Sequence, residues 1–191
     1  MTFFNDGVKF DPKKGSLLIS EPFLPDPNFE RTVILLCEHN EQDSFGFVLN
    51  KPSLLRMNDV IQEMGSFSDI LYVGGPVQQD TLHFIHRSPD IEGGLEIAEG
   101  IYWGGNFETV AILLKQDLLK SDDFRFFLGY SGWGEGQLNN EIEQNSWIVS
   151  DLVTSTQIFE TEPEILWKEV LKNMGGKFKM FSNYPTDPRL N

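Results

Sequence analysis

The chain of 191 residues carries one cysteine, Cys37, so it forms no internal disulfide and depends on an apolar core, as expected of a reducing compartment. Histidine is almost as scarce, with His39, His83 and His86 the whole supply. One thiol and three dispersed imidazoles do not make a zinc ligand set, and no metal and no cofactor are expected. Long apolar runs are missing too. The longest, residues 33–37 and 110–114, fall far short of the roughly 20 residues that cross a bilayer, so no membrane span is expected. The opening Met1-Thr2-Phe3-Phe4-Asn5-Asp6-Gly7 has neither the basic start nor the apolar stretch of a secretory signal, which places the protein in the cytoplasm.

Positive charge is the next shortage. Fifteen Lys and Arg face 29 Asp and Glu, a net charge of -14 that repels phosphate backbones and anionic lipid. The bases are scattered, Lys13-Lys14 being the only adjacent pair, and no helix carries a basic stripe. Direct nucleic-acid binding is disfavoured, and the acidity reads as a solvated, repulsive surface. Low-complexity linkers, charge blocks and internal repeats are also absent, so one domain over residues 1–191 is expected, with its core at about 15–180.

What is present is a globular composition rich in large rings, with 16 Phe and 4 Trp to bury. Strands are predicted at residues 15–20, 32–39, 45–49, 70–73, 81–86, 101–103, 124–130 and 147–149, where β-branched and apolar residues are bounded by turn chemistry. The polar connection Asn40-Glu41-Gln42-Asp43-Ser44 suits an antiparallel hairpin. Helices are predicted over residues 59–64, capped by Asn58 and stopped by Gly65, and from Asn106 through Phe107, Val110, Ala111, Leu113 and Leu114. Two more are predicted over 137–144, and over 163–174 with Ile165, Leu166, Val170 and Leu171 inward and Gly175-Gly176 as the stop. The irregular mixture of hairpins and helices predicts an α+β fold with a large mixed, mainly antiparallel sheet flanked by helices.

Several motifs in one order carry a resemblance. They are Gly15-Ser16-Leu17-Leu18-Ile19-Ser20, Asp26-Pro27-Asn28-Phe29, Glu30-Arg31-Thr32-Val33, Cys37-Glu38-His39-Asn40, Gly46-Phe47-Val48-Leu49-Asn50-Lys51-Pro52, Gly74-Gly75-Pro76-Val77 and the run from Gly129 through Trp133 to Leu138. Together they resemble the YqgE/AlgH family, an uncharacterised bacterial group, and the ending Pro185-Thr186-Asp187-Pro188 resembles its Bacteroidetes-type branch. The resemblance implies an α+β fold with a large mixed sheet and little defined chemistry. The family name carries a link to alginate regulation in one member, and members are sometimes labelled transcriptional regulators. This sequence contains no glycine-broken helix pair with a basic second helix that would bind an operator.

Four sets of residues bear on chemistry. Ser131, in Gly129-Tyr130-Ser131-Gly132-Trp133, sits where a nucleophile elbow would, but Trp133 occupies the second glycine position and relatives often carry alanine at 131; a packing turn is preferred. Cys37 and His39, two apart on a strand, are predicted on one face, about 6 to 7 Å apart, with a buried structural thiol as the preferred reading. Gly132, Gly134 and Gly136 precede a helix and could approach an anion, against which Glu135 competes. His83 and His86 are predicted on opposite faces of a strand. Finally, Arg31, Glu38, His39, Asn40, Asn50, Lys51, Trp133 and Gln137 form a candidate binding groove, or else satisfy backbone groups in turns and caps. No catalytic residue is assigned. The preferred class is a noncatalytic regulatory domain binding an unknown protein or small molecule; the alternative is an enzyme of unrecognised class acting near the Cys37-His39 and Trp133-Gln137 motifs.

Overall fold

The computed structural model describes residues 11–64 and 67–186. Within them, ten strands build one sheet: β1 (Leu17–Ser20), β2 (Val33–His39), β3 (Asp43–Val48), β4 (Pro52–Arg56), β5 (Ile70–Val73), β6 (Val77–His86), β7 (Leu95–Ala98), β8 (Ile101–Trp103), β9 (Phe124–Gly134) and β10 (Trp147–Ser150). Six α-helices pack around it: α1 (Met57–Val60), α2 (Phe107–Lys115), α3 (Gln137–Glu143), α4 (Ser155–Phe159), α5 (Pro163–Met174) and α6 (Gly176–Phe181). The strand order is β10-β1-β2-β3-β9-β6-β8-β7, with β4 and β5 attached beside β9. Only β5 against β9 is parallel among these pairings, so the sheet is mixed and mainly antiparallel, as expected. No helix among the described residues is long and apolar enough to cross a membrane.

Strand β9 organises the rest, because its 11 residues outlast any single neighbour. On one edge it pairs first with β5, at Phe126 to Leu128, and then with β3, at Ser131 to Gly134; β6 follows the other edge. The chain leaving β5 must therefore cross β9 to enter β6, and it crosses at Gly74-Gly75-Pro76. A Cβ on Gly74 would lie 2.3 Å from the Gly129 carbonyl oxygen, and one on Gly75 would lie 2.3 Å from the Tyr130 carbonyl. Gly129 itself adopts φ +68 within the strand. Two backbones touch there, which only glycine permits. The Gly74-Gly75-Pro76 and Gly129 motifs are the two halves of that crossing.

Three apolar clusters follow from the pleat. On one face, Leu17, Leu35, Phe47, Ile85 and Phe127 pack under α4, α5 and α6 through Ile158, Trp167, Leu171 and Phe181. The opposite face of the β5–β9–β6 region, with Leu71, Phe84 and Phe126, is covered by α1 and α2. The opposite face of the β1–β2–β3 region, with Leu18, Ile34 and Val48, is covered by α3 and the two indoles Trp133 and Trp147.

The structure adjusts several expected elements. The first helix begins at Met57, not after Asn58, because the Asp59 carboxylate reaches back to the Arg56 N–H at 2.8 Å; Gly65, the expected stop, lies outside the described residues. Strand β9 runs on through Gly132-Trp133 to Gly134, since β3 pairs with it there, so those glycines are strand rather than turn. In α5, Ile165 is exposed and Trp167 is buried in its place. Strands β4 and β7 and helices α4 and α6 are additional to the expected set.

Candidate functional site

The eight residues of the expected groove do not meet at one place. Asn50 accepts the Val33 N–H at 2.9 Å and donates to the Arg31 carbonyl at 2.9 Å, tying the entry of β2 to the exit of β3. Arg31 donates to the Tyr184 carbonyl at 2.7 Å and stacks its guanidinium 4.8 Å from the Trp167 ring centre. Lys51 donates to the carbonyls of Pro27 and Asn28 at 2.8 and 2.5 Å, which fixes the loop after β1. Burial holds its pKa below the ordinary value, while Asp26 and Glu30 pull it up. Glu38, His39 and Asn40 sit at the other end of the β2–β3 ribbon, about 20 Å away by strand rise. Asn40 accepts the N–H groups of Gln42 and Asp43 at 2.8 and 3.0 Å and closes that hairpin turn.

Trp133 and Gln137 form a third group. The Trp133 and Trp147 indoles each donate to Oε2 of Glu141 at 2.8 Å, and the Gln137 amide donates to Oε1 at 2.9 Å while its oxygen accepts the Gly134 N–H at 3.1 Å. A cavity of about 370 Å³ lies beside them, bounded also by Leu24, Phe29 and Pro76. Both polar ends of Gln137 and both carboxylate oxygens of Glu141 are already engaged, so this corner is a hydrogen-bonded wedge under α3.

Cys37 and His39 do not share a face. The β2–β3 register shifts between Leu36 and Glu38, leaving Cys37 as an extra, bulged residue. Cys37 turns into the first cluster, its thiol 3.7 Å from the Leu35 carbonyl, and His39 turns to the other face, where its Nδ1 lies 2.7 Å from the Ser44 hydroxyl. Burial first, and the Glu38 charge second, push the Cys37 thiol far above its ordinary pKa. The thiolate that nucleophilic or metal chemistry would need is suppressed. Ser131 is fully buried and donates to the Gly74 carbonyl at 3.1 Å, pinning the crossing.

The site that sequence reasoning missed lies on the α4–α5 face, where β3, β9, β6 and β8 meet. Phe45, Trp103, Tyr130 and His83 line a cavity of about 480 Å³ that Asp43, Ser44 and the sequence-predicted Trp133 also border. Phe45 is the hub: its ring centre lies 4.9 Å from that of Trp103 at 64°, and 6.1 Å from that of Tyr130 at 80°. His83 lies 5.3 Å from the buried Phe47 ring at a tilt of 40°, and meets Tyr130 edge-on at 5.9 Å. Its Nε2 lies 2.9 Å from the Thr81 hydroxyl, which itself donates to the Gln78 carbonyl; Nε2 therefore carries the proton. Burial lowers the His83 pKa and keeps the ring neutral. The Tyr130 hydroxyl and the Trp103 indole N–H make no hydrogen bond to a described residue, so two half-buried rings of the lining carry polar groups open to a new partner. A sequence signal existed: Phe45, Tyr130 and Trp103 are large rings at strand ends, where a twisted sheet opens.

His86 occupies the opposite face of β6, as alternation expects. It is fully buried, with Nε2 2.9 Å from the Gly104 carbonyl and Nδ1 accepting the Ser88 N–H at 3.3 Å. That pairing is structural and fixes a neutral tautomer.

Fold and cavity together define an α+β protein whose curled, glycine-crossed sheet holds an aromatic chamber. The chain belongs to the AlgH-like family, whose DUF179 model matches residues 17–179. It is 49% identical over 180 residues to a UPF0301 protein of Cytophaga hutchinsonii, covering 93% of this chain and 98% of that one. A UPF0301 protein of Parabacteroides distasonis is 43% identical over 183 residues, with 94% and 92% covered, in keeping with the Bacteroidetes-type branch. Among solved structures, a Corynebacterium diphtheriae protein superposes with a TM-score of 0.79 at 24% identity, covering 95% of this chain and 97% of that one. The solution structure of AlgH from Pseudomonas aeruginosa superposes with a TM-score of 0.71 at 27% identity, covering 94% and 98%.

Proposed function

We propose that this protein is a cytoplasmic, noncatalytic regulatory domain that binds a small molecule in the chamber between Phe45, Trp103, Tyr130 and His83. The observation that carries the reading is the chamber itself: about 480 Å³ of space, ringed by half-buried aromatic side chains with open polar handles, in the size range of small-molecule sites. Its lining supports binding rather than turnover. The one imidazole on the lining is held neutral by burial and spends its Nε2–H on the Thr81 hydroxyl, so that nitrogen is not free to take a proton from it. Ser44 also borders the cavity with its hydroxyl 2.7 Å from the His39 Nδ1, but no described group orients the His39 Nε2, as an activated serine would need. The charge of -14 argues against direct DNA binding.

The test is a thermal-shift screen of metabolites and nucleotides, followed by calorimetry on the hits with Trp103→Ala and Tyr130→Ala. A ligand that binds the parent and loses affinity in both variants supports the reading. Hits that survive both variants, or a screen that stays empty, would move the function to a protein partner surface.

A further inference from the structure

We infer that the chamber selects a small organic cation of the methylated-ammonium type carrying an apolar or aromatic group; this rests on the ligand-binding reading above. Three observations converge. The first is the lining. Trp103 and Tyr130 are inclined at 64° and 80° to Phe45, so a group in the chamber borders three rings in more than one orientation. Ring faces carry negative quadrupole density and attract a desolvated cation, most strongly a soft, methylated one that parts easily with water.

The second is the arrangement of carboxylates around Phe45. Asp43 lies two residues before Phe45 on β3, so the pleat puts it on the chamber face. Its Oδ1 accepts from the Asn40 amide at 3.0 Å, and its Oδ2 takes no hydrogen bond from a described residue. The bulge at Cys37 resets the register so that Glu38 stands directly across from Phe45, on the same face. Without the bulged residue, Glu38 would turn away. A local irregularity thus sets a second exposed acidic residue on the face of Phe45, its Oε1 accepting the His39 N–H at 3.1 Å.

The third is what the lining lacks. No lysine or arginine is among its residues, and the only base, His83, is held neutral by burial. An anionic ligand would find no counter-charge on the lining, Asp43 on it and Glu38 across from Phe45 on the same face, under the field of a strongly acidic chain. A cation finds the reverse.

The test compares three probes that share one ring and differ in charge: benzyltrimethylammonium, benzyl alcohol and benzoate, titrated by calorimetry into the full chain. Benzyltrimethylammonium is expected to bind at least about tenfold more tightly than benzyl alcohol, and benzoate most weakly. Asp43→Asn combined with Glu38→Gln, both exposed positions, with the urea midpoint checked against the parent, should weaken the cation severalfold, leave benzyl alcohol unchanged, and remove most of the salt dependence. Phe45→Leu should weaken all three probes. If benzyl alcohol or benzoate binds as well as the cation, or the double variant leaves the cation's affinity intact, cation selection is overturned while ligand binding stands. If none of the three binds and the metabolite screen is empty, both readings fall together.

Discussion

The Ser131 hydroxyl donates to the Gly74 carbonyl oxygen at 3.1 Å, joining residues 57 apart in sequence at the point where the chain crosses β9. That oxygen also accepts the Val48 N–H at 2.9 Å, so it keeps a partner when the hydroxyl is removed. Ser131→Ala should therefore cost only about 1 kcal/mol, read as a lower urea midpoint with an unchanged slope, and should leave probe binding intact. A loss of binding without a loss of stability would return Ser131 to the functional residues.

Gly129→Ala should be far worse. Its Cβ would lie 2.6 Å from the Val77 carbonyl oxygen and 2.9 Å from that of Gly75, and its φ of +68 disfavours any side chain. Left-handed backbone costs about 1–2 kcal/mol and overpacking about 1–3 more. A loss of about 2–5 kcal/mol in the same urea measurement is expected, and a neutral result would remove the crossing as the reason for the motif.

Glu141 holds two buried indoles at once, through Trp133 and Trp147 at 2.8 Å each. Glu141→Ala leaves both N–H groups without an acceptor, at about 1–3 kcal/mol apiece, whereas Glu141→Gln keeps one carbonyl oxygen and should lose less than half as much. Urea unfolding followed by tryptophan emission checks both. Equal effects of the two variants would mean that packing of α3, and not the paired hydrogen bonds, holds the corner.

Most of the sheet was legible because hydrophobic alternation and turn residues mark strands that bury one face or both, as in β2, β6 and β9. β4 was not, because Leu54 and Leu55 are exposed on a strand that pairs only with β5, so no burial pattern announces it. Helix α4 carried a readable signal, Thr154 with Gln157 three residues on; the two exchange side-chain to backbone bonds at 3.2 and 3.1 Å. The groove of polar motif residues dissolved for a physical reason: a β-ribbon places its polar residues at both ends, and most of these close turns. The rings of the chamber stood at predicted strand ends, but their meeting was not legible because they come from four strands, and one unpaired residue, Cys37, decides that Glu38 stands across from Phe45. A bulge depends on the partner strand, which a single segment cannot reveal.

Cys37 should be silent in the folded protein. Its thiol is buried and protonated, so iodoacetamide at pH 8 is expected to leave the native chain unmodified and to label it fully in guanidinium. Mass spectrometry distinguishes the two. Rapid native labelling would mean that Cys37 faces solvent, and would undo the bulge geometry that sets Glu38 across from Phe45.

Acid should destabilise the fold through its buried imidazoles. In His86 the Nε2–H donates to Gly104 and Nδ1 accepts from Ser88, so only the neutral ring satisfies both; protonation would leave the Ser88 N–H facing a second donor. Burial lowers the His86 pKa from 6.5 despite the two backbone bonds, which raise it. The unfolded chain then binds the proton more tightly, and stability, full above the unfolded value near 6.5, falls as the pH drops below it toward the native pKa. His83, also lowered by burial, adds to the same slope. Urea midpoints at pH 7.5, 6.5 and 5.5 should decline in that order. His86→Gln should be less stable at pH 7.5 yet show a shallower decline, because the group that must take up the proton is gone. A variant whose decline matches that of the parent would assign the acid sensitivity to other groups.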